Sequence, residues 1–140
     1  MIRAVLDTNV FVSALNFGGT PNAVLKLLEA DTFTLCMSQS IVDEIQRILL
    51  QRFEWSEEDL AHALDPILTL AEMVEPTTRV SVSRDRNDDH ILSSALDANA
   101  TVIVTGDDDL LSLGRYEHIR IITPRAFITM LVGQAPTNLS

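Results

Sequence analysis

The chain has 140 residues, of which 46% are hydrophobic, with five glycines, five prolines and one cysteine. That length suits one domain with a substantial core, the composition is too apolar for a disordered chain, and a lone Cys36 excludes an internal disulfide and fits a reducing cytoplasm. A formal net charge of −10 works against a polyanionic partner held by electrostatics alone, although nine arginines against a single lysine favour bidentate phosphate contact.

The elements alternate between strand and helix. Residues 2–6 (IRAVL) read as a first strand, followed by a short helical stretch near Val10 to Leu15 and a turn at Phe17-Gly18-Gly19. Thr20-Pro21 is expected to cap and start a helix through about Ala30, because proline suits the first helical position. Phe33 to Met37 is a second strand, and Ser38 or Ser40 caps a helix to about Arg52 with an apolar stripe of Ile41, Ile45, Ile48 and Leu49. Ser56-Glu57-Glu58-Asp59 has the form of a capping box for a helix to about Ala71, with a kink or break expected at Pro66.

Met73 to Val82 reads as extended and interrupted by Pro76, and Asp88 to Asn99 as helical. Thr101 to Val104 is strongly strand-like, Arg120 to Ile122 is a last strand, and Thr123-Pro124 caps a final helix through about Leu131. Strands separated by helices predict an α/β fold, a three-layer α/β/α sandwich with a mostly parallel central sheet. Residues 1–132 are expected to form one domain, with 133–140 a flexible tail. The apolar runs are strand-sized, well short of the ~20 residues of a membrane helix, and Asp7 falls where a signal peptide needs apolar sequence.

Ligands of open parallel sheets bind beyond the carboxyl ends of the strands. Asp7 follows the first strand directly and Asp107 follows Val104-Thr105-Gly106, so the two share one edge if their strands are neighbours. Glu44 lies one turn into its helix, and Asp88 opens the helix whose apolar face is Ile91, Leu92 and Ala95. Four converging carboxylates repel one another unless some stay protonated or a cation joins them. Hard Mg²⁺ or Mn²⁺ suits oxygen ligands, with Asn9 in reach as a neutral donor, and there is no Cys or His cluster for zinc. Such a site suits phosphodiester hydrolysis. Asp89 competes with Asp88 for the third place and Asp109 with Asp107 for the fourth, and one of Asp107, Asp108 and Asp109 serves as a cap for the Leu110-Leu111 helix. His62, His90 and His118 are scattered and read as surface or packing residues, while Arg47, Arg84 and Arg86 lie near the acids in sequence and are candidates for holding phosphates.

Five segments in order, Val5-Leu6-Asp7-Thr8-Asn9-Val10, Ser40-Ile41-Val42-Asp43-Glu44-Ile45, Asp85-Arg86-Asn87-Asp88-Asp89-His90-Ile91-Leu92, Val104-Thr105-Gly106-Asp107-Asp108-Asp109-Leu110-Leu111 and Ile122-Thr123-Pro124-Arg125-Ala126-Phe127, resemble a PIN-domain ribonuclease of the prokaryotic toxin type. The resemblance implies a metal-dependent endoribonuclease using Mg²⁺ or Mn²⁺, with Asp7, Glu44, Asp88 and Asp107 as catalytic, metal-binding acids and Thr8, Asn9, Thr105 and Asp109 in support. It also implies an RNA substrate, a cognate antitoxin, a homodimer and a cytoplasmic location.

Two other readings compete. A haloacid-dehalogenase-like phosphatase shares Asp7-Thr8-Asn9 and Gly106-Asp107, but Asn9 stands where its second Asp belongs and Lys26 is poorly placed. A catalytically inactive PIN-like binding module would not need acids at all four positions.

Overall fold

The computed structural model describes residues 1–75, 77 and 86–134, leaving out the side chains of Arg86, Asn87 and Gln134. The described strands are β1 (Arg3–Leu6), β2 (Thr34–Met37), β3 (Glu72–Met73), β4 (Val102–Val104), β5 (Arg115–Tyr116) and β6 (Ile119–Ile122). The helices are α1 (Thr8–Phe17), α2 (Gly19–Glu29), α3 (Gln39–Gln51), α4 (Glu57–Leu70), α5 (Arg86–Asp97), α6 (Asp108–Leu113) and α7 (Pro124–Gln134). One sheet runs in the order β3-β2-β1-β4-β6-β5, parallel throughout except for the β5–β6 pair.

Ala4, Val5 and Leu6 are consecutive and fully buried, as are Ile103 and Val104. Successive side chains of a strand point to opposite faces, so both faces at the sheet centre are covered and the predicted α/β sandwich follows. Chain order supplies the layers. From β1 the chain moves outward through β2 to β3, then returns to β4 on the other side of β1. Right-handed crossovers therefore put the helices of the outward and return paths on opposite faces. On the outward path α1 packs on α2 and α3, and α3 on α4, while the returning α5 lies against β1, β2 and β4. That reversal opens a crevice between the carboxyl ends of β1 and β4.

Ser38, not Ser40, caps α3, its hydroxyl accepting from the Ile41 N–H at 3.3 Å. α2 starts earlier than Thr20-Pro21 predicts: Gly18 is its N-cap, and Pro21 falls in the first turn, where a missing N–H breaks no helical bond. α4 runs through Pro66 without a break. Proline there removes one donor, but buried Leu60, Leu64 and Ile67 hold the helix to the core on both sides of it. The β5 strand was not foreseen. Gly114 (φ 68°) adopts a left-handed conformation after α6 and turns the chain straight into β5. Of the expected 73–82 stretch, Pro76 and residues 78–82 lie outside the described residues, as do Arg84, Asp85 and the tail residues 135–140. No helix among the described residues is long and apolar enough to cross a membrane.

The capping serine of α4 offers a clean stability test. Ser56 Oγ accepts from the Asp59 N–H at 3.0 Å on an exposed turn. Ser56→Ala should cost about 1 kcal/mol in urea unfolding, with the slope unchanged. An unchanged midpoint would show that the hydroxyl contributes nothing there.

Candidate metal centre

β1 and β4 pair in parallel with Leu6 opposite Val104, and the Asp7 N–H donates to the Val104 carbonyl at 2.9 Å. The residues after the two strands therefore sit side by side at the crevice. Asp7 is 8% exposed and Thr105 is fully buried. The Thr105 hydroxyl donates to Asp7 Oδ2 at 2.8 Å and accepts from the Asp107 N–H at 2.9 Å. With its acceptor side taken by Asp107, the hydroxyl directs its proton at Asp7 and fixes that carboxylate's orientation.

Burial pushes the Asp7 carboxyl above the usual range for aspartate, the nearby Asp107 charge pushes the same way, and the Thr105 hydroxyl and the N–H groups of Thr8 and Asn9 work against both. A raised folded-state pKa means that the ionised form is disfavoured in the fold. Asp7 thus helps stability only at pH below the ordinary aspartate value and costs stability as pH rises through the raised one. Asp7→Asn is expected to melt several degrees above wild type at neutral pH without metal, an advantage that fades as pH falls below the ordinary aspartate range. Mg²⁺ or Mn²⁺ should raise the wild-type melting temperature and leave this variant nearly unmoved. Equal metal shifts in the two proteins would remove Asp7 from the ligand set.

Asp107 is the N-cap residue of α6 but its side chain makes no capping bond. Its carboxylate instead joins those of Asp88 and Asp109, with one oxygen of each lying within 4.8 Å of the others. Asp88 is 4% exposed in the first turn of α5, the buried member of the Asp88-Asp89 pair. Asp109, on the first turn of α6, is exposed and stands with Asp107 rather than in place of it.

Glu44 reaches the centre from the other side. Ser38 starts α3 at the end of β2, beside β1, and Glu44 follows Ser40 by one turn on the same helix face. Glu44, Ser40 and Ile41 form one wall of a cleft of about 130 Å³, with Asp7, Thr8, His90 and Ile91 forming the rest. Asp7 and Glu44 share this cleft, while Asp88, Asp107 and Asp109 form the close carboxylate group; Asp7 and Asp107 are near enough to interact electrostatically. Asn9 is exposed and does not line the cleft. Arg47 is exposed on α3.

Two lining residues escaped the sequence reading. Ser40 carried a signal, its i, i+4 spacing from Glu44. His90, read as surface or packing, faces the cleft only because α5 crosses back over β1, which one sequence does not reveal. The polar groups are carboxylates and hydroxyls with the single imidazole of His90 and no thiolate, a predominantly oxygen set that suits a hard divalent cation of the Mg²⁺ or Mn²⁺ type.

A family model described as PIN domain matches residues 3–109. The chain is 33% identical to an uncharacterized protein of Methanocaldococcus jannaschii, over 91% of this chain and 90% of that one. Its fold is similar to that of VapBC2 from Rickettsia felis bound to a DNA fragment from their promoter, with TM-score 0.61, 21% identity, and coverage of 87% of this chain and 98% of that one. It is also similar to PAE2754 from Pyrobaculum aerophilum, with TM-score 0.60, 14% identity, and coverage of 95% and 91%. DNA-bound VapBC from Salmonella typhimurium gives TM-score 0.57, 21% identity, and coverage of 89% and 99%.

Proposed function

Since the chain belongs to the PIN domain family, we propose that it is a metal-dependent endoribonuclease that hydrolyses RNA phosphodiester bonds as the toxin of a toxin-antitoxin pair. The observation that carries the nuclease reading is the packing of Asp88, Asp107 and Asp109 within 4.8 Å, beside a buried Asp7 whose orientation Thr105 holds. Three carboxylates brought this close, beside a fourth whose charge is disfavoured by burial and by Asp107, suit a site that holds a cation. The likeness to VapBC assemblies supports an antitoxin partner, and the reading includes a homodimer in the cytoplasm.

Asp7, Glu44, Asp88 and Asp107 would hold Mg²⁺ or Mn²⁺, with Asp109 at the solvent side. A cation there supplies activation of water and neutralisation of the charge that builds on the phosphate and the leaving oxygen. The protein's own residues do the rest. Thr105 positions Asp7, Thr8 and Ile91 close the cleft wall, and Ser40 and His90 present polar groups where a ribose or phosphate would lie. Lys26, in the last turn of α2, does not line this cleft, which disfavours the phosphatase reading.

The test is cleavage of single-stranded RNA by antitoxin-free protein with Mn²⁺ or Mg²⁺, stopped by chelator. Absence of metal-dependent cleavage across a broad panel of structured and unstructured RNAs would replace this reading with that of a binding module.

A further inference from the structure

At the other end of β4 from the acidic centre, about 13 Å away by strand rise, Arg115, His118 and Arg120 surround a second cleft with Thr101 over a floor of Ile2, Val102 and Met130. Arg115 and Arg120 are directly opposed across the antiparallel β5–β6 pair. The Ile121 N–H donates to the Gly114 carbonyl at 3.0 Å, which makes the next pair inward, 115 and 120, the type without hydrogen bonds of its own. In such a pair the side chains project to the same face with Cβ atoms only about 5 Å apart. Two like charges so placed destabilise a hairpin. A single charge is a common guard on an edge strand, which accounts for Arg115 on β5 but not for a second arginine facing it.

Among the described residues, no carboxylate makes a salt bridge with Arg115, Arg120 or His118; Glu72 of β3 pairs instead with Arg3. In a chain with twice as many acids as basic residues, two guanidinium groups and an imidazole share one cleft that no carboxylate lines. The apolar floor accommodates the arginine stems while the guanidinium groups stay at the rim, and the Thr101 hydroxyl adds a neutral donor.

We propose that Arg115, Arg120, His118 and Thr101 form a phosphate-binding site, separate from the acidic cleft and independent of the reaction carried out there. Two guanidinium forks match the oxygens of a phosphate group. That group is either free phosphate or the backbone of a nucleic acid strand, and two titrations separate these sources. Both use the full chain with chelator present, so that neither metal nor cleavage enters the measurement. In the first, inorganic phosphate should raise the melting temperature of wild type but not of Arg115→Gln/Arg120→Gln, and the phosphate dissociation constant should rise at least tenfold in the variant. Without phosphate the variant should melt no lower than wild type, because a repulsion has been removed.

In the second, a labelled single-stranded RNA is titrated at several salt concentrations. If the strand backbone occupies the site, the salt dependence of binding in the variant should flatten by about 1.4 in log–log slope, two contacts at ~0.7 each. Loss of phosphate binding with an unchanged RNA slope assigns the site to free phosphate. Identical phosphate affinity and identical RNA slope in the two proteins overturn the proposal. Because no cleavage is measured, that result is distinct from failure of the nuclease reading.

Discussion

Asp107→Ala is expected to lower RNA cleavage by on the order of 10²-fold or more under saturating Mn²⁺, more than any replacement outside the crevice. Asp107 is the link between the two halves of the centre: its carboxylate groups with Asp88 and Asp109, its charge acts on Asp7, and its N–H fixes the Thr105 hydroxyl that orients Asp7. Alanine keeps the N–H and its bond to Thr105, so the variant tests the carboxylate alone. Thr105→Val removes the oriented hydroxyl but keeps every acid, and should cost roughly 10- to 100-fold, the range for a group that orients a ligand. Initial rates across a Mn²⁺ titration distinguish weakened metal binding, which higher metal rescues, from lost transition-state stabilisation, which it does not. An Asp107→Ala rate within a few-fold of wild type would remove the carboxylate group from the reaction.

Phe127→Ala should be the most damaging replacement for stability, costing about 3–5 kcal/mol and lowering the melting temperature by roughly 10 °C or more. Phe127 is fully buried in α7 and meets Phe33, 1% exposed just before β2, edge to face with ring centroids 4.9 Å apart. This contact joins residues 94 positions apart in sequence and, with the packing of α7 on α2, ties the C-terminal helix to the first half of the chain. Phe33→Ala should cost a similar amount, and the double variant should fall short of the sum by about 1 kcal/mol, the worth of the ring pair beyond its buried area. A loss under about 1 kcal/mol for Phe127→Ala in urea unfolding would mean that α7 is not part of the cooperative core.

Much of the fold and part of the centre could be read from local pattern. β1, β2 and β4 announce themselves as short apolar runs, α3 and α4 carry serine caps at their first turns, and Thr123 Oγ accepts from the Ala126 N–H at 3.1 Å where Thr123-Pro124 predicted a helix start. Asp7 and Asp107 were legible as strand-end acids because strand ends are set locally. Gly18 as the cap of α2 and the short β5 were not, since Gly18 offers no side-chain signal and two residues carry no period to detect. An unbroken α4 through Pro66 ran against local propensity, and burial of its apolar face on the core decided the matter.

The strand neighbourhood is the step that only tertiary structure could take. The sequence by itself determined that acids follow two apolar strands, because side-chain type and local backbone preference are properties of a few adjacent residues. Asp88 rather than Asp89 as the buried acid was legible too, because Asp88 shares a helix face with Ile91, Leu92 and Ala95. That β4 lies against β1, that Asp88 meets Asp107 and Asp109, and that His90 faces the cleft all depend on the chain crossing back over its first strand. That crossing is selected by burying both faces of the whole sheet at once, and such a sum over distant residues has no signature in any local stretch.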